Sequence, residues 1–253
     1  MAIEGFDAVK ARDNLIAGLK KLGEEEGFSK IVLGVSGGKD STVCAALCAR
    51  AFGPQNVYGI MMPDGVQADI EDSKLVCKST GIQSRIVNIG PMHKALLQAV
   101  DEDTDSFPMT YVKESDINVG PRLRMTTLRY FAQALGARLC GTGNLSESTV
   151  GYCTKDGDTS CDFALLLSLT SKEVVEVGLT MEELPKELVD KTPSDGLSGL
   201  PDEVKLGVTY QQIHDYIRKG SSGDAQADAI ISRKERGSEY KRRMPKVIPA
   251  FPE

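Results

Sequence analysis

The sequence has few of the histidine and cysteine patterns that bind zinc or carry redox chemistry. Its 253 residues include only two histidines, His93 and His214, and six cysteines, none of them in a C-x-x-C pair. This excludes a zinc ribbon, a thioredoxin-type redox pair and a multi-histidine metal centre. We expect the cysteines to be small buried residues in a reducing compartment.

Long apolar runs and an excess of positive charge are also missing. No apolar run approaches the ~18 residues of a membrane span, and residues 1–20 are spaced like an amphipathic helix, unlike a secretory signal. The net charge of −6 argues against nucleic-acid binding as the main task. A basic patch near the end is large enough for one small polyphosphate; it comprises Arg233, Lys234, Arg236, Lys241, Arg242 and Arg243. We expect a cytoplasmic protein that binds neither a membrane nor nucleic acid.

Strand patterns alternate with helical patterns along the chain. The spacing of apolar residues predicts helices over 6–23, 41–51, 69–80, 91–100 and 122–135, and strands over 31–35, 57–62, 84–89 and 138–141. This rhythm predicts an α/β fold, a single doubly wound parallel sheet with helices on both faces, in one domain over 1–253. Ligands of such folds bind at the carboxyl ends of the strands.

Two segments, 101–120 and 192–207, have no clear period. The first is rich in acidic residues and the second in glycine, proline and serine. Because long irregular segments in compact domains are usually disordered or functional, we expect both to be mobile lids beside the site.

The most informative stretch is IVLGVSGGKDS, at residues 31–41. An apolar strand ends in a turn of small residues and opens directly into a helix. Backbone N–H groups in such a turn close on an anion, and the helix dipole favours negative charge there. Lys39 adds a point charge for phosphate, and Asp40 offers a hard oxygen ligand for Mg²⁺. The loop therefore predicts a site for a nucleotide phosphate and its metal.

Two other interpretations of this loop are open. A Walker A loop would need glycine at Leu33 and serine or threonine at Asp40, so two of its fixed positions are missing. A glycine-rich turn without a ligand is the plainer alternative. The pattern S-G-G-x-D-S instead resembles the loop of the PP-loop ATP pyrophosphatases, which split ATP between the α and β phosphates.

Further motifs narrow the resemblance to one branch of that superfamily. They are GTGNLSE at 141–147, GYCTKDGD at 151–158, PSDGL at 193–197, DEVKLGVTY at 202–210 and YKR at 240–242. With NVGPRLRM at 118–125 they resemble ammonia-dependent NAD synthetase, in the family's order, from about residue 18 to 245. The resemblance implies an adenine-nucleotide-hydrolase-like, Rossmann-like fold.

The resemblance implies a two-step ligase reaction. The carboxylate of nicotinic acid adenine dinucleotide (deamido-NAD) attacks the α-phosphate of ATP, giving an adenylate and pyrophosphate, and ammonia then displaces AMP to leave NAD. This chemistry needs positioning and charge compensation and no nucleophilic side chain. We expect no glutamine amidase domain, because the PP-loop strand begins at Ile31 and leaves no room before it.

The resemblance also implies roles for individual residues. ATP is expected to contact Gly34, Val35, Ser36, Gly37, Gly38, Lys39, Asp40, Ser41, Gln67, Thr142 and Ser194. The expected Mg²⁺ ligands are Asp40 and Glu147. Deamido-NAD is expected to contact Arg122, Lys155, Asp162, Tyr240 and Lys241. Asp158 is the candidate catalytic residue, because a carboxylate accepts the proton that amide formation releases.

The resemblance further implies a homodimer. The candidate interface helices are 122–135 and 146–151, whose apolar residues exceed what one sheet face needs; these residues are Leu128, Phe131, Leu135 and Val150. Closed two-fold dimers are also the commonest oligomers.

The chain departs from the family pattern at three positions. Tyr240 stands where the family usually has histidine, Asp156 replaces a ring-stacking aromatic residue, and Ser171 (with Lys172 next to it) replaces an ATP-contacting lysine. Two other functions stay open at this point. A tRNA thiolase or lysidine synthetase would bring basic RNA-binding extensions or cysteine pairs, and a nucleotide-sensing module would lose the metal carboxylates.

Overall fold

A parallel sheet forms the centre of the protein. Within the described residues it has five strands in the order β3-β2-β1-β4-β5, every adjacent pair parallel. The strands are β1 (Ile31–Gly34), β2 (Val57–Met61), β3 (Gln83–Ile86), β4 (Arg138–Gly141) and β5 (Phe163–Ala164). The prediction of one doubly wound parallel sheet is confirmed. The short strand β5 was not predicted, because two residues carry no periodicity.

The structure is a computed structural model that describes residues 5–66, 70–101, 113–191, 202–245 and 248. Gln67 and Ser194, both expected to contact ATP, lie outside the described residues. Much of the two expected lids, residues 102–112 and 192–201, also lies outside them.

Helices connect and cover the strands. They are α1 (Ala8–Glu26), α2 (Lys39–Phe52), α3 (Ile70–Thr80), α4 (Gly90–Asp101), α5 (Lys113–Ile117), α6 (Val119–Leu135), α7 (Leu145–Val150), α8 (Ser171–Gly178), α9 (Lys186–Val189), α10 (Asp202–Leu206), α11 (Tyr210–Lys219) and α12 (Ala225–Gly237), with 3-10 turns at Pro54–Asn56 and Glu239–Lys241. Among the residues that the structure describes, no helix is both long enough and apolar enough to cross a bilayer.

The expectation of irregular structure was wrong for part of each predicted lid. Helix α5 and the start of α6 lie within 101–120, and α10 lies within 192–207. These helical pieces are five residues or fewer within each segment, too short to show a hydrophobic period.

The central strand β1 is buried on both faces of the sheet. Ile31 and Leu33 pack into one cluster with α1, α2, α8 and α9. Val32 points to the other face and packs with residues of α6 such as Ala132. All three strand residues have no exposed surface, which explains their continuous apolar pattern.

A third apolar cluster joins α7 to α11 and α12 on the C-terminal side of the fold. Val150, Ile213 and Ile231 are at its centre, and Tyr210 belongs to it. This layer matters for function because it brings Tyr210 next to the loop after β1.

Of the four apolar residues expected at a dimer interface, Val150 is buried and the other three are half-buried, so the interface stays a prediction. Leu128, Phe131 and Leu135 pack against the sheet-face cluster of α6, and Val150 is buried beside α11 and α12. Among the exposed apolar side chains of the described residues, five lie on α4, α5 and α6: Met92, Leu96, Val100, Ile117 and Tyr130.

The six cysteines are free thiols. Four of them are buried, as expected for small hydrophobic residues: Cys44, Cys48, Cys77 and Cys140. Cys153 and Cys161 are half-buried.

Candidate active site

The strand order places a crevice between β1 and β4. The chain runs outward from β1 through β2 to β3 on one side and through β4 to β5 on the other, so the order of strands reverses at this point. Ligands of doubly wound sheets bind beyond the carboxyl ends of the strands at such a reversal. The loops that follow β1 and β4 both lie at this edge.

The loop after β1 leads straight into α2. Helix α2 begins at Lys39, and its N-cap residue Gly38 gives it no side-chain cap. Ser41 organises the loop, because its Oγ accepts a hydrogen bond from the Ser36 N–H (3.2 Å) and donates one to the Gly38 carbonyl (3.0 Å). The first N–H groups of the helix and the positive end of its dipole therefore suit an anion. The predicted cradle, residues 34–41, lies in this loop and first helical turn.

Gly37 fixes how this loop is seated. Its φ of +80° lies in the left-handed region, and a Cβ there would lie 2.8 Å from the Asp72 Cβ and 2.9 Å from the Ser73 nitrogen. Only glycine allows the loop to approach the start of α3 so closely. Lys191 in turn holds Asp72, at 2.6 Å.

Asn144 joins the loops that follow β1 and β4. Its Nδ2 donates to Asp40 Oδ1 (3.0 Å), and its Oδ1 accepts from the Glu147 N–H (3.1 Å). The Asn144 N–H donates to Glu147 Oε2 (3.0 Å), which completes the capping box of α7. Asn144 has no exposed surface. Asp40 and Glu147, predicted to share a site, are thus linked by one buried amide.

The charges of these two acids are coupled. Desolvation, and after it the negative charge of Asp40, raises the pKa of Glu147 to about 8, although nearby Lys39 lowers it. A divalent cation would displace that proton and compensate both carboxylates. Mg²⁺ takes hard oxygen ligands and typically binds one or two carboxylates together with phosphates and water. The donor pair fits such an ion. Across the residues described, no cluster of three or more His, Cys, Asp or Glu residues could hold a metal alone.

Lys39 lies inside the fold. Its ammonium is 2.7 Å from Asp40 Oδ2, and the residue is 4% exposed. The side chain that was expected to neutralise phosphate charge is therefore already paired with a carboxylate.

The turn at 151–158 holds the candidate proton acceptor. Asp158 Oδ1 accepts a hydrogen bond from the Thr154 N–H (2.6 Å). Desolvation raises the pKa of Asp158, although the residue as a whole is exposed. Its negative charge acts on Glu147, so the two acids share one electrostatic neighbourhood.

Lys241 attaches the C-terminal part of the chain to this turn. Its Nζ donates to the carbonyl oxygens of Gly151 (2.9 Å) and Cys153 (2.7 Å). Its charge lowers the pKa of Asp158 and partly offsets desolvation. Lys241 therefore lies beside the predicted site, with two of its three donors on backbone oxygens. Tyr240, its neighbour, is 49% exposed.

The start of α6 packs on the same turn. Thr154 Oγ1 donates to Asn118 Oδ1 (2.6 Å), and a Cβ at Gly157 would come within 3.0 Å of a side chain at the start of α6. Arg122, in the first turn of α6, is exposed, and Lys155, in the 151–158 turn, is half-buried. These two predicted substrate contacts therefore belong to two segments that pack on each other, the start of α6 and the 151–158 turn.

Asp162 lies between β4 and α6. Its Oδ2 accepts from the Leu139 N–H (2.7 Å), and its Oδ1 pairs with Arg129. Desolvation would raise the pKa of Asp162, but these two hydrogen bonds outweigh it and hold that pKa below its usual value. Thr142, expected to contact ATP, is half-buried directly after β4.

An open cavity of about 680 Å³ adjoins this region, near the end of β2. It is lined by Asp64, Gly90, His93, Lys94, Leu97, Gln98 and Asp101, none of which was predicted to bind ATP or deamido-NAD. Arg124 connects it with the site, because the charges of Asp64 and Asp158 both act on its guanidinium, whose pKa desolvation lowers.

Several residues of the site were not predicted from the sequence. Asn144 had a usable signal, because asparagine three residues before a glutamate marks a helix start. Tyr210, whose ring lies 5.5 Å from the Lys39 ammonium, and Asp202, which accepts a hydrogen bond from the Tyr210 hydroxyl, belong to the 202–210 motif, to which the sequence assigns no role. Arg124 carried no signal that distinguishes it from a surface cation.

Comparison with known sequences identifies relatives along the whole chain. The sequence model described as NAD synthase matches residues 12–247. The chain is 35% identical over 237 residues to the NH(3)-dependent NAD(+) synthetase of Carboxydothermus hydrogenoformans, covering 93% of this chain and 95% of the relative.

Two solved structures show the same fold. The NMN synthetase from Francisella tularensis superposes with a TM-score of 0.88 at 29% identity, covering 98% of this chain and 100% of that one. The NAD+ synthetase from Burkholderia pseudomallei gives a TM-score of 0.77 at 25% identity, covering 95% and 92%. Since the family model and the relatives match almost the whole chain, the chain belongs to the NAD synthase family of ligases.

Proposed function

We propose that the chain is an ammonia-dependent NAD synthetase, which amidates deamido-NAD to NAD with ATP and ammonia. The main observation behind this proposal is that Asn144 links Asp40 to Glu147 at the point where the strand order reverses. These three residues place the loop after β1, which suits a phosphate, beside a second acidic side chain. A site for a nucleotide and its metal ion requires both. A nucleotide sensor would have no need of both acids.

In the first step the chain aligns two substrates. Residues 34–41 cradle the polyphosphate of ATP, and Thr142 contacts the same nucleotide, as Gln67 and Ser194 are also proposed to do. Asp40 and Glu147 hold Mg²⁺, which when bound neutralises phosphate charge. The substrate carboxylate then attacks the α-phosphate and pyrophosphate leaves, so alignment and charge compensation supply the rate enhancement.

The second substrate is assigned to the residues around the 151–158 turn. We assign Arg122, Lys155, Asp162, Tyr240 and Lys241 to deamido-NAD. Arg122 and Lys155 supply positive charge for its pyrophosphate or carboxylate groups. Asp162 also has a structural partner in Arg129, so it orders β4 and α6 as well as the ligand.

In the second step ammonia attacks the adenylate and AMP leaves. Asp158 is the proposed acceptor of the proton released from the incoming nitrogen. Its raised pKa makes it a stronger base than an ordinary aspartate. The Thr154 N–H holds its carboxylate in place.

One assay tests the proposed function. Purified protein with ATP, Mg²⁺, ammonium and deamido-NAD should form NAD, AMP and pyrophosphate in equal amounts. With ¹⁸O in the substrate carboxylate, one label should appear in AMP, because the attacking oxygen stays with the phosphorus. Ammonium should support a much faster rate than glutamine. Formation of ADP, or unlabelled AMP, would contradict the mechanism.

A second candidate substrate is nicotinic acid mononucleotide. It is favoured by the TM-score of 0.88 to a protein named NMN synthetase, above the 0.77 of the B. pseudomallei NAD+ synthetase. Asp156, exposed in the 151–158 turn, also lacks the ring that the family uses for stacking. The same assay decides between them: the preferred acid has the larger kcat/KM, and we expect this to be the dinucleotide.

We also propose a cytoplasmic homodimer. The exposed apolar side chains of α4, with Ile117 and Tyr130, provide an apolar surface for self-association. The free thiols suit a reducing compartment. Light scattering of the purified protein at assay concentration measures the oligomeric state, and a fully active monomer would contradict the dimer.

A further inference from the structure

Lys39 is the most deeply buried cation of the candidate site. Its ammonium lies 2.7 Å from Asp40 Oδ2 and 5.5 Å from the centre of the Tyr210 ring. The residue is 4% exposed. A lysine directly after a phosphate-binding loop would ordinarily reach outward, whereas this one is held inward by a carboxylate and an aromatic face.

Three acidic side chains act on this ammonium. Burial disfavours its charged form, but the charges of Asp40, Glu147 and Asp202 outweigh burial and raise the pKa of Lys39. Asp202 is fixed in turn, because the hydroxyl groups of Tyr152 (3.1 Å) and Tyr210 (3.2 Å) donate to its two oxygens. Lys39 therefore connects the loop after β1 with α10 and α11.

We propose that Lys39 is a positioning residue that keeps free divalent cations out of the Asp40–Glu147 pair and admits the metal only together with a nucleotide. This inference rests on the proposed function, in which these two acids are the magnesium ligands. It assigns to the Lys39 side chain a charge-selecting role, while the backbone of residue 39 stays part of the polyphosphate cradle.

The signs of the charges explain this selection. A dication near Asp40 would lie close to the Lys39 ammonium and be repelled by it, since few water molecules screen a buried charge. The polyphosphate of ATP is attracted by the same ammonium. Lys39 thus weakens the binding of metal alone and strengthens the binding of nucleotide.

Removal of the lysine charge should therefore move two affinities in opposite directions. In K39M, Mn²⁺ without nucleotide should bind about tenfold more tightly, and ATP in the presence of EDTA should bind several-fold more weakly. Mn²⁺ binding is measured by electron paramagnetic resonance, anaerobically at pH 8.5, to limit competition from the Glu147 proton. Loss of the Lys39 charge favours the binding of a doubly charged ion about twice as strongly as it favours protonation of Glu147. Competition from this proton therefore leaves the expected increase in Mn²⁺ affinity in the same direction.

Three further variants make the result specific. K74M removes an exposed lysine that pairs with Glu71 and should leave both affinities unchanged. K39M/D40N should lose the gain in Mn²⁺ affinity, which places the ion at Asp40. K39Q removes the charge but keeps a polar side chain, and should reproduce both signs if K39M folds poorly.

The outcomes separate this proposal from its alternatives. If K39M and K39Q fold and bind Mn²⁺ no more tightly than the unmodified protein, the proposal is overturned. If both ligands weaken together, or neither variant folds, Lys39 has a structural role only. These titrations contain neither deamido-NAD nor ammonia, so failure of the amidation assay would not change their interpretation.

Discussion

Replacing Glu147 with glutamine, or Asp40 with asparagine, will lower the rate of amide formation about a hundredfold or more. Each change keeps the shape of the side chain and removes a negative charge that compensates Mg²⁺ beside the polyphosphate. Metal-ion stabilisation of this kind contributes several kcal/mol to the transition state, and each 1.4 kcal/mol is about a factor of ten in rate. The measurement is kcat for NAD formation at saturating substrates and modest Mg²⁺.

The two substitutions differ in their effect on the fold, which helps interpretation. Glutamine at position 147 still serves as the capping-box partner of Asn144, so Glu147→Gln should melt near the temperature of the unmodified protein. Asp40→Asn leaves the buried Lys39 ammonium without its paired charge, and we expect this variant to be less stable. Glu71→Gln, at an exposed acid of α3, is the matched control. Near-normal turnover of Glu147→Gln would show that Glu147 is not a magnesium ligand.

The sequence was sufficient for the parts of the site that depend on local pattern. The apolar run of β1 is buried on both faces, so its pattern was continuous and its end well defined. The small residues of 36–38 then located the loop. Because parallel strands end at one edge, the loop after β4 was expected beside it, and the Asn144 bridge between Asp40 and Glu147 is consistent with that expectation.

The orientation of the Lys39 side chain could not be predicted from the sequence pattern. Whether a lysine faces phosphate or packs inward depends on groups far along the chain, here Glu147, Asp202 and Tyr210. The same holds for the apolar residues of helix 122–135. Their periodicity indicates one apolar face of a helix, but tertiary packing decides which neighbouring element covers that face.

The ion pair of Glu173 and Arg218 is another feature that tertiary structure alone brings together. Arg218 on α11 donates to both oxygens of Glu173 on α8, at 2.7 and 2.5 Å, and to the Ser168 carbonyl. Glu173 also caps α8 through Thr170. The pair attaches the layer that carries Tyr210 to a helix on the sheet.

Arg218→Met will lower the free energy of unfolding by about 3–5 kcal/mol. The Glu173 side chain is 2% exposed, so loss of its partner leaves a buried carboxylate without a counter-charge. Denaturant unfolding measures the effect. The control is Arg50→Met. Arg50 donates equally short hydrogen bonds to both oxygens of Glu183 (2.7 and 2.6 Å), but both side chains are about a third exposed. That variant should lose no more than about 1 kcal/mol.

The destabilisation by Arg218→Met should also depend on pH in a defined direction. Burial would raise the pKa of Glu173, but the hydrogen bonds from Arg218 and Thr170 hold it below the ordinary 4.5. In the unmodified protein this pair therefore stabilises the fold fully above pH 4.5, and its contribution is lost as the pH falls through the lowered pKa. Without Arg218, burial raises the pKa of Glu173, and the carboxyl group takes up a proton more readily when folded. The difference between the two proteins should then be largest near neutral pH and shrink toward pH 4, and a difference that grows with acid would contradict this account of Glu173.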